Sequence, residues 1–365
     1  MMAPTPRGGV FALGLPGVST GAALPTGEGW DELLASAVDE RAVPFVANGV
    51  SGGLVDASAD QVDALAGAHE ELMRSCVVLE RAALDCASHF DGAGIEFRLL
   101  KGAAVAHLDY PDPSWRAFGD VDILVRSASY DAAVAALEHL GGRRRSGQVR
   151  PGFDRRFGKG VCIIMASGIQ VDVHRTLATG PFGLTVDLDA LFGGHDRVEF
   201  GGRSLPVLSR EHRFLHACFH AALGDATPRV VAQRDVAQFL LATDLDFDAA
   251  RMAAAQWRAR IVVAHAIDRA WARLELEPND ASRWAASYRP SRFEHRSLAA
   301  YLGPERSYAR QMVAGVPAVR GLSNKIAYVR SLLLVDPEYA QRHDGGYGRR
   351  LQRAWKARVT REQVT

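Results

Sequence analysis

Nowhere in the 365 residues is there a run approaching the roughly 20 consecutive apolar positions that a helix needs to cross a bilayer, so no membrane span is expected. Cysteine is scarce too. The four that occur, Cys76, Cys86, Cys162 and Cys218, form no C-x-x-C pair and have mostly apolar neighbours. That pattern predicts buried thiols without disulfides in a reducing, cytoplasmic compartment. An excess of charge of one sign is also missing, since 43 basic residues face 42 acidic ones and leave a formal net charge of +1. Nothing global therefore draws the chain to nucleic acid or an anionic membrane, and any polyanion site must be local. The opening MMAPTPRGGVFALGLPGVSTGAALPTG has one early arginine and an apolar stretch broken by Gly and Pro, a poor match to a secretory signal.

What is present begins with 48% hydrophobic residues, enough for a full core in two domains or one large one. Residues 1–28, rich in Gly, Pro, Ser and Thr, read as a loose lead-in. Apolar residues at three and four spacing mark 29–93 as a helical N-terminal region, most clearly from Ser58 to Phe90. Strand signals concentrate in 94–208. There IEFRLLKG ends in the turn Lys101-Gly102, followed by the helical AAVAHL, and a strand runs from Asp120 to Arg126. The next helix has Ser129 as its cap and Gly141 as its stop. GKGVCIIMA and GIQVDVHRTL then form a hairpin whose second arm alternates Ile169, Val171, Val173 with Gln170, Asp172, His174. DRVEF and RSLPVL flank a Gly-Gly turn, and 209–365 reads as a helical C-terminal region. The fold class expected is α+β, a small mixed β-sheet flanked by two helical regions.

The chemistry lies in the strand from Asp120. Asp120 and Asp122 point to one face about 7 Å apart at their Cα atoms, so both carboxylates reach one region. Aspartate is disfavoured in strands and needs a reason to be there. Magnesium supplies one, because it prefers oxygen ligands and because phosphoryl and nucleotidyl transfer use carboxylate-bridged ions. Asp172, in the alternating strand, is the candidate third carboxylate. D-x-D alone is weak evidence: it recurs at Asp187 and Asp189 and at Asp244, Asp246 and Asp248, each before a helical run, where aspartate caps free N–H groups.

LLKGAAVAHLDYPDPSWRAFGDVDILV followed by VDVHRTL resembles the poorly characterised nucleotidyltransferase family of the DNA polymerase β superfamily. In that family a Lys-Gly turn, an Arg, a D-x-D strand and a later Asp-x-His strand recur in this order. The likeness spans roughly Ile95 to Leu177 and continues weakly in RFLHACFHAAL, RVVAQRDVAQFLL and YVRSLLLVDPEY. It implies Mg2+-dependent transfer of a nucleoside monophosphate from an NTP to an acceptor, with Mn2+ as the alternative ion. Asp120, Asp122 and Asp172 would be the catalytic and metal-binding residues. Lys101, Gly102, Arg116, His174 and Asp235 would bind the nucleotide and its phosphates. The wider superfamily has Gly-Ser or Gly-Gly in the turn, whereas here Gly102 is followed by Ala103, which has no hydroxyl; this departure motivates the alternative of a catalytically silent nucleotide-binding or scaffold module.

Other features admit two readings each. Arg116 either holds phosphate or covers Trp115 or pairs with Asp112, and Lys101 either holds phosphate or ends a strand in solvent. His212, His216 and His220 share a helix face at zinc-compatible spacing, but H-E-x-x-H is absent and cleft-facing histidines are the simpler expectation. His174 either contacts phosphate, orients Asp172 or is an exposed strand residue. Arg234 and Asp235 form an interhelical ion pair or place Asp235 at the cleft. Arg143 to Arg145, Arg150, Arg155, Arg156, Lys159 and the tail from Arg349 to Arg361 are basic enough to guide RNA, yet Leu351, Trp355 and Val359 make the tail an amphipathic helix. RNA is thus a minority acceptor beside small-molecule and protein hydroxyls, and nothing in the sequence fixes the oligomeric state.

Overall fold

The computed structural model describes residues 7–18, 23–242 and 244–336. The seven strands are β1 (Phe97–Leu99), β2 (Val121–Val125), β3 (Arg143–Arg144), β4 (Gly160–Ile164), β5 (Gln170–His174), β6 (His195–Phe200) and β7 (Arg203–Leu208). They form one sheet in the order β3-β4-β5-β2-β1-β7-β6. β2 with β5 and β1 with β7 run parallel, and the other pairs run antiparallel. Helices lie before, between and after the strands, so the chain has the α+β architecture expected of it.

Register decides what each face of this sheet does. Across β2 and β5, Val121 pairs with Val171, Asp122 with Asp172, Ile123 with Val173 and Leu124 with His174. Because side chains alternate, the valines and Ile123 share one face and the polar residues share the other. The apolar face packs on the 34-residue helix Ala59–Gly92, through Cys76, Leu79, Ala83 and Phe90, and on Tyr130–His139 through Ala133, Val134 and Leu137. Ser58 and Gln61 start the long helix with a reciprocal capping box. The polar face turns toward helices Arg210–Leu223 and Val230–Leu241, which pack on each other and on Arg260–Leu274 around Phe214, Phe219, Val236 and Ile267.

Residues 7–18 correct the expectation of a loose lead-in. Val10, Phe11, Leu13 and Leu15 are buried in the same core as the C-terminal helices. The wholly buried Arg234 fixes them, donating from Nη1 to Phe11 O at 2.8 Å with its guanidinium 4.1 Å from the centre of the Phe45 ring. Four apolar side chains in six positions outweigh the glycines and prolines around them. Ser129 precedes its helix but makes no side-chain capping bond. Asp187 and Asp246 do cap helices, accepting from Ala190 N at 3.1 Å and from Ala249 N at 2.8 Å. All four thiols are free. No helix among the described residues is long and apolar enough to cross a membrane. The basic tail with Leu351, Trp355 and Val359 lies outside the described residues.

Candidate active site

β1 ends where Leu100 N bonds to Asp122 O at 2.9 Å, and Lys101 then opens the helix Lys101–Asp109. The turn depends on Gly102, whose φ of 40° and ψ of −120° suit a residue without Cβ. This conformation lays Lys101 across β2. Its Nζ is 2.9 Å from Asp122 Oδ2 and 3.8 Å from Asp120 Oδ2. Asp122 Oδ1 accepts from His174 Nε2 at 2.7 Å, and the Asp122 carboxylate is wholly buried. Burial alone would raise its pKa, but the Lys101 ammonium and the His174 hydrogen bond outweigh burial and hold the carboxyl well below the usual range. Asp120 shows the opposite balance: burial and the neighbouring Asp122 push it up against the pull of Lys101. Burial would lower Lys101, yet Asp122 and Asp120 together raise it.

Asp172 stands opposite Asp122 in the register, half-buried. Asp122, Asp172 and His174 each present a ligand atom, and these atoms lie within 4.8 Å of one another. Asp120 and Asp172 line a single cavity of about 280 Å³ together with Lys101, Gly102 and Lys159. A smaller cavity of about 160 Å³ shares Lys159 and Asp172 with it and adds Cys162, His174 and Thr179. A third, of about 100 Å³, shares both lysines and reaches His216 and His220. The three voids adjoin one another at Lys159 and together make up the chamber around the carboxylates. The facing carboxylate oxygens and the His174 nitrogen could hold a metal ion, and Lys101 already places positive charge beside Asp120 and Asp122.

The other expected site residues fall into two groups. His174 reaches the carboxylates, through Asp122. Arg116 and Asp235, both expected at the ligand, are each other's partner: Nε and Nη2 of Arg116 donate to the Asp235 carboxylate at 2.7 and 2.6 Å. Tyr110 Oη adds a third bond to Asp235 at 2.9 Å, and Arg116 Nη1 reaches back to Gly102 O at 3.3 Å. Arg116 therefore braces the glycine turn while also lining the cavity of about 280 Å³, whereas Asp235 lines none of the three voids. Of the three histidines on helix Arg210–Leu223, His212 stacks on Trp257, His216 meets the His174 ring edge-on at 6.5 Å, and His220 lines the chamber. Burial first, then Lys101, pulls His216 and His220 well below the ordinary histidine range, so both are neutral.

Two residues at the chamber, Arg41 and Arg229, were not legible as site residues in the sequence, and Lys159 was expected only as one of a basic group able to guide RNA. Lys159 extends into it from the start of the β4–β5 hairpin. Arg229, exposed, and Arg41, half-buried, bring positive charge from two helical regions. Arg41 has a φ of +54°, a conformation uncommon for a side chain of its size, and its guanidinium occupies the space that a Cβ at Gly119 would take. One signal for Lys159 exists: the chain has only four lysines, at 101, 159, 325 and 356, and two of them meet here. By contrast, the neighbouring arginines are occupied locally, Arg144 by Glu138, Arg155 by Asp131 and Arg156 by Asn324.

Asp154, which lines the smaller cavity, is pushed up to about 6 by burial, with Arg144 Nη1 3.7 Å away only partly opposing it. A carboxyl raised in the folded state binds protons more tightly there than in the unfolded chain, so its cost is absent below the unfolded value and grows as pH rises through about 6. Asp154→Asn is expected to stabilise the chain by on the order of 1–2 kcal/mol at pH 8 and to change little at pH 4. Urea denaturation at the two pH values reads this, and equal effects at both would refute it.

A parallel strand pair carrying facing carboxylates beneath a glycine turn and a lysine is an arrangement suited to holding phosphates and a divalent cation. The chain belongs to the family described as uncharacterised nucleotidyltransferase, which it matches over residues 26–274, well over half its length. Three solved structures are similar to parts of the chain. The lincomycin-bound crystal structure of the lincosamide antibiotic adenylyltransferase LnuA is 15% identical, with a TM-score of 0.30, over 44% of this chain and 96% of its own. The solution structure of the antibiotic-resistance factor ANT(2'')-Ia is 18% identical, with a TM-score of 0.35, over 50% of this chain and 91% of its own. An antigenic nucleotidyltransferase-like protein from Paracoccidioides brasiliensis is 13% identical, with a TM-score of 0.31, over 57% and 94%. The search of curated proteins finds no match.

Proposed function

We propose that this nucleotidyltransferase moves a nucleoside monophosphate from an NTP to a hydroxyl on an acceptor. The acceptor oxygen bonds to the α-phosphorus, the bond from that phosphorus to the bridging oxygen breaks, and pyrophosphate leaves. The hydroxyl proton passes to Asp172. The observation that carries this reading is the register that sets Asp122 against Asp172, with Asp120 and two lysines on the same chamber. Asp120, Asp122 and Asp172 would hold Mg2+, or Mn2+ in its place. When bound, the ion neutralises charge on the phosphates and lowers the pKa of the attacking hydroxyl.

The residues of the chain divide the remaining work. Lys101, Lys159, Arg41 and Arg229 put positive charge on the walls where a triphosphate tail would lie. The turn at Gly102 offers backbone at the start of a helix, which does not need the hydroxyl that Ala103 lacks. His174 fixes the orientation of Asp122. The branch past Asp172, toward Cys162 and Thr179, leaves room for the acceptor hydroxyl on the side of that carboxylate away from Arg41 and Arg229.

Incubation with Mg2+ and an NTP labelled at the α or the γ phosphate, with host extract as the source of acceptor, tests the reading. Label moved from the α position and a product heavier by one nucleotide are expected. Transfer of γ label alone would identify a kinase and overturn the proposal. Arg41→Ala is expected to raise the KM for the nucleotide roughly tenfold, the loss of one charge-assisted contact of about 1.5 kcal/mol, with a smaller change in kcat. An unchanged KM would remove Arg41 from the nucleotide site.

A further inference from the structure

We propose that the chain has a second ligand site, separate from the carboxylate chamber, that takes a small organic anion: a carboxylate or phosphomonoester on a flat apolar body. The site is a cavity of about 410 Å³ walled by Phe157, Arg175 and Trp257 and by residues around Arg320, within the size range of small-molecule sites, roughly 300–1,000 Å³. It has no lining residue in common with any branch of the chamber.

Arg175 is the anchor. It follows β5 directly, is only 5% exposed, and spends Nε on Gly158 O at 2.8 Å. Arg175 lines this cavity, and its Nη2 is buried without a hydrogen-bond partner among the described residues. A guanidinium is seldom buried with a donor idle, and a carboxylate or phosphate oxygen is the acceptor its fork geometry matches.

Charge points the same way. Arg156 and Arg320 line the cavity with Arg175, so three arginines contribute to one void. The one carboxylate among the lining residues is Asp187, whose Oδ1 already accepts from Asp189 N and Ala190 N to cap the helix Leu188–Gly193, and Asp154 acts on Arg175 from outside the lining. The cavity therefore keeps a net positive charge that an anion would relieve. Phe157, 6% exposed, and Trp257, 1% exposed, give it aromatic walls, which distinguishes it from a site for a bare inorganic ion. Arg156 is held in place there, its guanidinium 4.9 Å from the centre of the Phe157 ring and its Nη2 donating to Asn324 Oδ1 at 3.0 Å.

Isothermal titration calorimetry of the full chain with phenyl phosphate, benzoate and inorganic phosphate tests the assignment. One saturable site for phenyl phosphate or benzoate is expected, with inorganic phosphate at least tenfold weaker; which organic probe binds more tightly tells the phosphomonoester from the carboxylate. Arg175→Gln should abolish binding. Because Arg175 also ties down Gly158, the exposed Arg320→Gln provides the variant that leaves the core untouched, and it should weaken binding at least tenfold. Asp120→Asn should bind the probe as the wild type does. No saturable binding of either organic probe, undiminished binding in Arg320→Gln, equal binding of inorganic phosphate, or weakened binding in Asp120→Asn would each overturn the proposal.

Discussion

Asp172→Asn is expected to lower nucleotidyl transfer by at least about a thousandfold, with Asp120→Asn and Asp122→Asn close behind, since one preorganised charged group at a reacting centre is worth roughly a hundred- to a thousandfold and these three act together. The fold should survive. Asp172 is half-buried and keeps its strand pairing in the amide form, so its unfolding curve should move by less than about 1 kcal/mol. Asp122→Asn is the costlier change, because Lys101 and His174 lose the charge they both contact. Its depressed pKa means that Asp122 stabilises the fold above the unfolded carboxyl value, a contribution lost as pH falls through the folded one. Activity and denaturation measured on the same preparations separate the two effects. Retained transfer in all three variants would falsify the site.

The second large effect belongs to stability. Arg116 and Asp235 are both almost fully buried and bound through two parallel hydrogen bonds, and the carboxylate outweighs burial in keeping the guanidinium protonated. Removing either partner strands a buried charge, so Arg116→Ala and Asp235→Ala should each cost about 3–5 kcal/mol in denaturant unfolding. Asp235→Ala also takes the acceptor from Tyr110. The double change Arg116→Met with Asp235→Leu should recover part of the loss, because no buried charge is then left without its partner, while Tyr110 Oη and Gly102 O still lose theirs. Single substitutions costing less than about 1 kcal/mol would mean that water reaches the pair. Transfer should fall as well, since Arg116 Nη1 holds the carbonyl of Gly102 in the turn.

This pair also shows where reading the sequence stops. The D-x-D strand and the alternation of Asp172 and His174 with valines are local patterns, and the structure pairs these residues in register. Local pattern also located the Lys-Gly turn and the long helix from Ser58. That Arg116 meets Asp235, 119 positions later, depends on how a C-terminal helix docks, which no local pattern encodes. Arg41 and Arg229 reach the chamber for the same reason, by the packing of helical regions on the sheet. Residues 10–15 illustrate the converse: composition suggested slack, while the apolar side chains among the glycines were the better guide to burial.

The parallel pairing of β2 and β5 has a consequence for biosynthesis. Parallel neighbours need a long crossover, and here that crossover holds the helix Tyr130–His139 and the outer strands β3 and β4. While a nascent chain is still shorter than β5, it has one half of the carboxylate cluster and no partner strand to complete it. On the proposed reading, a chain terminated before β5 would therefore carry an incomplete carboxylate cluster and would transfer no nucleotide.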